Sequence, residues 1–253
     1  MPDDRSTATP LTTVVILVAM AEEARLLIEA LSFQRLPGIF APLPMQAYEG
    51  RLKRLQVRLV LNGEDPRYGV QNIGTQPATL AAQATIEAFR PDLLINAGTA
   101  GGFASRGAEI GTVYLSAGVF KYHDRRIPLP GYEAYGIGNY PALEAPALAR
   151  ALSLPTGIVS TGNSLELIER DYQMLERNGA VAKEMEAAAI AWVAGLHRVP
   201  FLALKSVTNL VDGARASEAE FLQNLDLAVA NLTGKLLEAL RFLDGKSLED
   251  LNR

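Results

Sequence analysis

The chain has 253 residues, of which 49% are hydrophobic and 21% charged; its formal net charge is −4 at pH 7, and it contains no cysteine. Enough apolar side chains are present for the core of one α/β domain, whereas the acidic charge disfavours nucleic-acid binding and no apolar run reaches the roughly 20 residues of a membrane-spanning helix. The absence of cysteine excludes disulfides and thiolate catalysis and fits a reducing compartment, so we expect a cytoplasmic protein.

The N-terminal residues 1–11 are polar and acidic, lack the order of a signal peptide and are expected to form a disordered leader. Residues 12–253 are expected to form one domain. In chain order, the pattern predicts a strand at 12–19, a helix at 21–31, strands around Tyr48 and at 57–61, a helix at 74–89, strands at 92–96 and 111–122, a helix at 142–152, a strand at 156–160, helices at 164–178 and 185–196, a strand at 201–207 and a helix at 218–243. This alternation predicts an α/β fold, a mixed β-sheet with helices on both faces.

A glycine-rich segment, Asn96–Phe103, follows the predicted strand at 92–96 directly. Glycines at the carboxyl end of a buried strand allow backbone N–H groups to approach a small ligand, at the sheet edge where open α/β sheets bind ligands. The spacing is neither that of a phosphate-binding loop nor that of a dinucleotide-binding turn. By itself the segment is equally compatible with a plain tight turn.

Carboxylates at two element junctions are candidates for chemistry. Glu23 follows the first strand, where it would either activate water, if desolvation raises its pKa, or merely favour the first turn of its helix. Glu184 and Glu186 begin a predicted helix, on which residues two apart point about 200° apart. One of them would then cap the helix or face water while the other reaches a pocket. His123 and His197 have no partners at metal-ligand spacing, so no metal site is expected.

Together these stretches resemble the 5′-methylthioadenosine/S-adenosylhomocysteine nucleosidases, most closely their plant-like branch. The resemblance covers nearly the whole chain after the leader and implies a nucleoside phosphorylase-like fold. It rests on six motifs in the family's order: the first strand through Ala-Met to Glu23, Asn96–Phe103, Tyr122-His123-Asp124, Thr161–Leu165, Lys183–Glu186 and Val207-Thr208-Asn209.

The resemblance implies hydrolysis of the N-glycosidic bond of a small purine nucleoside, without cofactor or metal, by a homodimer with Tyr122-His123 near the subunit interface. Glu23 would orient the attacking water. The implied substrate-binding residues are Thr99 and Gly101 beside the ribose, Met185 against the sugar, Glu186 on its hydroxyls, Leu165 on the purine with Glu166 following it, and Thr208 next to the leaving group.

Asn209 departs from the family, which has an aspartic acid there to protonate the departing purine; Asn163 also replaces a usual Asp. An amide cannot act as a general acid, so losing this help is expected to slow the reaction ~10²–10⁴-fold. Three interpretations stay open. The chain is a nucleosidase slowed by natural change or deliberately inactivated, a 6-oxopurine nucleoside hydrolase or phosphorylase, or a catalytically silent nucleoside-binding or storage protein.

Phosphorolysis is the less favoured chemistry, because hexameric purine phosphorylases carry an arginine at the position resembling Asn96 and another near the first loop. This chain has Asn96 and an acidic Ala-Glu-Glu run at those places, which would repel phosphate. Specificity for methylthioadenosine over S-adenosylhomocysteine would depend on the space near the 5′ group, at Phe221 and Leu222.

Overall fold

The structure, a computed structural model, describes residues 8–213 and 217–253. Its strands are Thr13–Val18 (β1), Gln34–Leu36 (β2), Gln46–Leu52 (β3), Leu55–Leu61 (β4), Glu64–Asp65 (β5), Val70–Gln71 (β6), Leu93–Gly102 (β7), Val113–Tyr122 (β8), Tyr140–Pro141 (β9), Thr156–Thr161 (β10), Ala180–Glu184 (β11) and Phe201–Leu210 (β12). Its helices are Ala21–Ala30 (α1), Thr75–Phe89 (α2), Glu133–Ile137 (α3), Pro146–Leu152 (α4), Glu169–Asn178 (α5), Ala187–His197 (α6), Ser217–Leu243 (α7) and Leu248–Leu251 (α8).

The main sheet is mixed and has the order β11-β10-β8-β12-β7-β1-β4-β3-β2, with β9 paired to β8. The central strands β4, β1, β7 and β12 run parallel. An additional antiparallel pairing joins β11 back to β7, with Lys183 opposite Gly101 and Ala182 opposite Gly102. Strands β7, β12, β8, β10 and β11 therefore form a closed ring, which brings the ends of β1, β7, β11 and β12 close together.

Helices cover both faces of the sheet. Val14 and Ile16 of β1 belong to the core under α1, α4, α7 and α8, whereas Val15 and Leu17 belong to the core under α2 and α6. A strand buried on both faces needs apolar side chains at every position, which explains the uninterrupted apolar run in the sequence. This arrangement confirms the predicted α/β fold with a mixed sheet between helices.

Four predicted boundaries around the motifs are wrong. The helix predicted at 164–178 begins only at Glu169, and the strand predicted at 201–207 continues to Leu210. The strand predicted at 92–96 continues as β7 through Gly102, so the glycine-rich segment is strand and not turn. Hydrogen-bonded neighbours on both sides, β12 and β11, outweigh the poor strand propensity of glycine. The stretch Lys183–Glu186 does not begin a helix, because Lys183 and Glu184 complete β11 and α6 begins at Ala187.

Of the predicted leader, residues 1–7 lie outside the described residues. Its last residue, Leu11, is buried at 4% exposure and donates its backbone N–H to the Lys246 carbonyl at 2.7 Å. The packed chain thus begins before residue 12. Within the described ranges, no helix is long and apolar enough to cross a membrane.

Candidate active site

A cavity of about 150 Å³ lies where β1, β7, β11 and β12 end. Its lining residues are Ala19, Met20, Glu23, Ile73, Thr99, Ala100, Gly101, Leu165, Lys183, Glu184, Met185, Glu186, Thr208, Asn209 and Phe221. A larger groove of about 710 Å³ runs along α6, and its lining includes two carboxylates, Glu144 and Glu249. Three carboxylates and an amide converge on the smaller cavity, which makes it the candidate site.

Glu23 is held in the cavity by the backbone. Its Oε1 accepts hydrogen bonds from the Thr99 N–H and the Thr99 hydroxyl, both at 2.7 Å, and its Oε2 accepts the Met20 N–H at 3.3 Å. Burial raises the pKa of Glu23, although the bonds from Thr99 and the charge of Lys205 oppose the shift. Glu23 therefore accepts a backbone N–H at the start of α1 and also presents a desolvated carboxyl group to the cavity, as a general base requires.

Gly98 of β7 makes room for this group. A Cβ atom at Gly98 would lie 3.3 Å from Glu23 Oε1 and 3.5 Å from Lys205 Nζ. At Gly98 the glycine-rich strand thus allows charged side chains of neighbouring elements to approach its backbone, whereas Gly101 of the same strand lines the cavity itself.

Glu184 and Lys205 form a fully buried ion pair below the cavity, with 2.7 Å between Oε2 and Nζ and 1% exposure for each side chain. Burial alone would raise the pKa of Glu184, but the Lys205 charge and hydrogen bonds hold it below the usual range. Glu184 also accepts the N–H groups of Glu186 at 3.0 Å and Ala187 at 2.9 Å and the hydroxyl of Thr161. It is therefore the carboxylate that caps α6.

Glu186 is the carboxylate of this motif that reaches the cavity without an ion-pair partner among the described residues. Its Oε1 accepts the Gly74 N–H at 2.9 Å, at the start of α2. Burial and the negative charge of Glu184 raise the pKa of Glu186 to about 7. Glu184 and Glu186 have separate tasks, as expected, but because one ends a strand and the other precedes a helix rather than because of helical rotation.

Asn209 owes its position to a β-bulge in β12. Val207 pairs with Ala100 and Asn209 with Gly101, so Thr208 is the additional residue. The Thr208 hydroxyl lies 3.1 Å from Asn209 Oδ1 and, farther away, 3.3 Å from the Ala100 carbonyl. With Oδ1 engaged by Thr208, Nδ2 and its two hydrogens are available to a ligand.

The cavity contains eight of the nine predicted site residues: Glu23, Thr99, Gly101, Leu165, Met185, Glu186, Thr208 and Asn209. The ninth, Glu166, has an exposed side chain and does not line the cavity. The prediction missed the roles of Lys183 and Lys205, and it left open which of Glu184 and Glu186 caps the helix. Lys205 had a usable signal, since it is the one charged residue in its strand, and a lysine is rarely buried without a partner.

Comparison with known proteins identifies relatives over nearly the whole chain. Residues 13–241 match the model of the phosphorylase superfamily. Two Arabidopsis thaliana proteins are each 41% identical: a 5′-methylthioadenosine nucleosidase, over 96% of this chain and 91% of the relative, and a 5′-methylthioadenosine/S-adenosylhomocysteine nucleosidase, over 96% of both. The apo structure of Arabidopsis thaliana 5′-methylthioadenosine nucleosidase superimposes with a TM-score of 0.94 at 40% identity, covering 96% of this chain and all of that one.

Replacing Glu184 by glutamine tests the buried ion pair. The variant Glu184→Gln leaves the Lys205 ammonium buried without a counter-charge, and we expect the free energy of unfolding in urea to fall by ~3–5 kcal/mol. The matched control is Glu238→Gln, which breaks the exposed Lys235–Glu238 pair of 2.9 Å and should cost less than ~1 kcal/mol. Similar losses in both variants would contradict a special role for the buried pair.

The raised pKa of Glu186 predicts a pH-dependent stability. The folded protein holds a proton on Glu186 that the unfolded chain releases at lower pH, so this contribution is complete below pH 4.5 and is lost as the pH rises through about 7. The variant Glu186→Gln is neutral throughout. We expect its stability relative to the parent to increase between about pH 5 and about pH 8, measured by urea unfolding. A pH-independent difference would refute the shift.

Proposed function

Because the chain belongs to the 5′-methylthioadenosine/S-adenosylhomocysteine nucleosidase family of the phosphorylase superfamily, we propose that it binds 5′-methylthioadenosine and hydrolyses its N-glycosidic bond, slowly, to adenine and the thioribose. The observation that carries the proposal is the convergence of Glu23, Met185, Glu186 and Asn209 on one cavity. S-adenosylhomocysteine is a further candidate substrate.

Each group has a chemical task in this reaction. As the C1′–N9 bond breaks, its electron pair goes to adenine, which leaves as an anion and takes a proton from solvent, while positive charge develops on the sugar. Glu23, fixed by Thr99, would orient and deprotonate the attacking water. Glu186 would accept hydrogen bonds from the ribose hydroxyls, and these bonds strengthen as the charge develops. Asn209 would donate from Nδ2 to the purine N7.

The charges around the cavity favour water over phosphate as the nucleophile. Glu23, Glu184 and Glu186 all line it. Of its nearby ammonium groups, Lys205 is paired with Glu184, and Lys183 donates to the carbonyls of Ser164 and Leu165. A phosphate anion would therefore meet carboxylates, while both of these ammonium groups, which belong to the described part of the chain, are engaged elsewhere.

Asn209 also supports a second candidate, a 6-oxopurine nucleoside. Thr208 engages one lone pair of Oδ1, and both amide hydrogens, on Nδ2, remain available for acceptors on the base. A 6-oxopurine presents two acceptors, N7 and O6, to such a group, whereas adenine presents one acceptor and a donating amino group. The orientation of the amide therefore distinguishes the two base classes.

We also propose that the chain acts as a homodimer. The residues after Tyr122-His123 expose large side chains, Leu129 at 56%, Tyr132 at 49% and Tyr135 at 56%. Asp124 of the same segment accepts the Asn163 N–H at 2.6 Å, beside the loop that brings Leu165 to the cavity. A second copy packed on this surface would bury its apolar side chains and lie next to the site.

Sedimentation equilibrium tests the dimer. The parent is expected at twice the 27.2 kDa chain mass, and the double variant Leu129→Asp/Tyr132→Asp at a single chain mass because it places charges in the interface. Leu227→Asp, an equally exposed position on α7, serves as the control and should stay dimeric. A monomeric parent would contradict the proposal.

Restoring the acid tests the function. We expect Asn209→Asp to release adenine from 5′-methylthioadenosine, without phosphate, at least about tenfold and up to ~10⁴-fold faster than the parent, because it regains a general acid at the leaving group. The control Asn252→Asp adds the same charge at an exposed position outside the cavity and should match the parent.

Inosine and methylthioadenosine should be assayed side by side. Faster cleavage of inosine by the parent, and loss of this preference in Asn209→Asp, would establish the 6-oxopurine alternative. An unchanged rate on both substrates in Asn209→Asp would remove Asn209 from the leaving-group site. Binding of nucleoside by both chains without turnover would identify a binding protein.

A further inference from the structure

The loop Gly162–Leu165, between β10 and α5, carries Leu165 to the cavity. Its first half is fixed by three neighbours. The Gly162 N–H donates to the Glu184 carbonyl at 3.0 Å, and the Asn163 N–H donates to Asp124 Oδ2 at 2.6 Å. Asn163 Oδ1 accepts the N–H and the hydroxyl of Thr75, both at 2.9 Å.

Lys183 fixes the second half of the loop. Its Nζ donates to the Ser164 carbonyl at 2.8 Å and to the Leu165 carbonyl at 3.0 Å. Lys183 belongs to β11, which pairs with β10 on one side and with β7 on the other. The residue is 7% exposed. One ammonium group thus links the floor of the cavity to both residues at the end of the loop.

Burying the ammonium group of Lys183 in this way costs more free energy than burying that of Lys205. Lys205 contacts a carboxylate, whereas the two hydrogen-bond partners of Lys183 are neutral carbonyls. Burial lowers the pKa of Lys183, and the charges of Asp171, Glu184 and Asp124 only oppose this shift from a distance. A desolvated ammonium group that is bonded only to neutral acceptors contributes little to stability. Its two hydrogen bonds, however, orient two backbone carbonyl groups at once.

We propose that Lys183 is a positioning residue for the purine, because its ammonium holds the Ser164 and Leu165 carbonyls and thereby keeps Leu165 at the wall of the cavity. The inference rests on the proposed function, in which Leu165 contacts the base. A loop fixed before binding loses less conformational freedom when the base arrives, so the contribution of Lys183 is to affinity and not to bond cleavage.

The test compares four chains by two measurements, adenine affinity by calorimetry and backbone hydrogen exchange of residues 162–166. They are the parent, Lys183→Met, Lys183→Arg and Lys121→Met. Methionine keeps the length of the side chain without a donor, and arginine retains donors for two carbonyls. Lys121 is the matched control, because its Nζ donates to the Asn178 carbonyl at 3.3 Å from β8, outside the cavity lining.

We expect Lys183→Met to bind adenine about tenfold more weakly or worse, equivalent to a loss of ~1.4 kcal/mol, and to exchange faster at residues 162–166. Lys183→Arg should bind within about threefold of the parent, and Lys121→Met should match the parent in both measurements. In the Asn209→Asp background, Lys183→Met should raise KM much more than it lowers kcat.

Three results would overturn the inference: unchanged adenine affinity in Lys183→Met, faster exchange without weaker binding, or equal weakening by Lys121→Met. If Lys183→Met does not fold, Lys183→Gln replaces it, and binding as tight as the parent's would count against the proposal. Absence of adenine binding by the parent would refute the proposed function, and this inference with it. If the parent binds adenine and only the Lys183 variants bind it weakly, the result bears on the role of Lys183 and not on the proposed function.

Discussion

The buried ion pair between Glu184 and Lys205 is the interaction on which the site depends. Glu184 ends β11 and Lys205 lies within β12, so the pair spans the ring of strands beside Gly98 of β7. Glu184 also caps α6 and thereby fixes the backbone of Glu186. Lys205 brings its positive charge towards Glu23. One charge pair therefore sets the environment of both carboxylates that the proposed chemistry uses.

A buried ion pair is rarely a net gain in stability, because desolvation of two charges offsets their attraction. Here it has a consequence for the neighbouring carboxylates. The Lys205 ammonium is in direct contact with Glu184 and stabilises its ionised form. At Glu23 and Glu186 the effect of burial is larger than that of the Lys205 charge, so the pKa of both is raised. The cavity thus combines one permanently ionised carboxylate with two that gain or lose protons more easily, a distribution typical of sites for proton transfer and for a cationic transition state.

Asn209 allows the cavity to recognise a purine base without supplying a proton to it. The bulge at Thr208, the glycine at position 101 and the surrounding carboxylates are all in place around a side chain that cannot donate a proton in a useful range. Recognition of the base and stabilisation of the sugar do not depend on that proton, whereas departure of the purine is faster with it. The Thr208 hydroxyl engages one lone pair of the amide oxygen and so orients Nδ2, whose two hydrogens suit acceptor atoms on the base.

The sequence by itself determined the fold class and eight residues of the cavity, since the apolar period of strands and helices is local and the six motifs follow one another in a recognisable order. Its prediction of a cytoplasmic location stays a prediction, as does that of a disordered leader for residues 1–7, which lie outside the described residues. Only the tertiary structure decided the rest. The glycine-rich segment becomes a strand because β11 and β12 pair with it. Glu184 can be buried as the cap of α6 because the Lys205 ammonium neutralises its charge. Lys183 donates to a loop carbonyl some 18 residues upstream. These features arise from contacts between residues far apart in sequence, and no local pattern of residues encodes them.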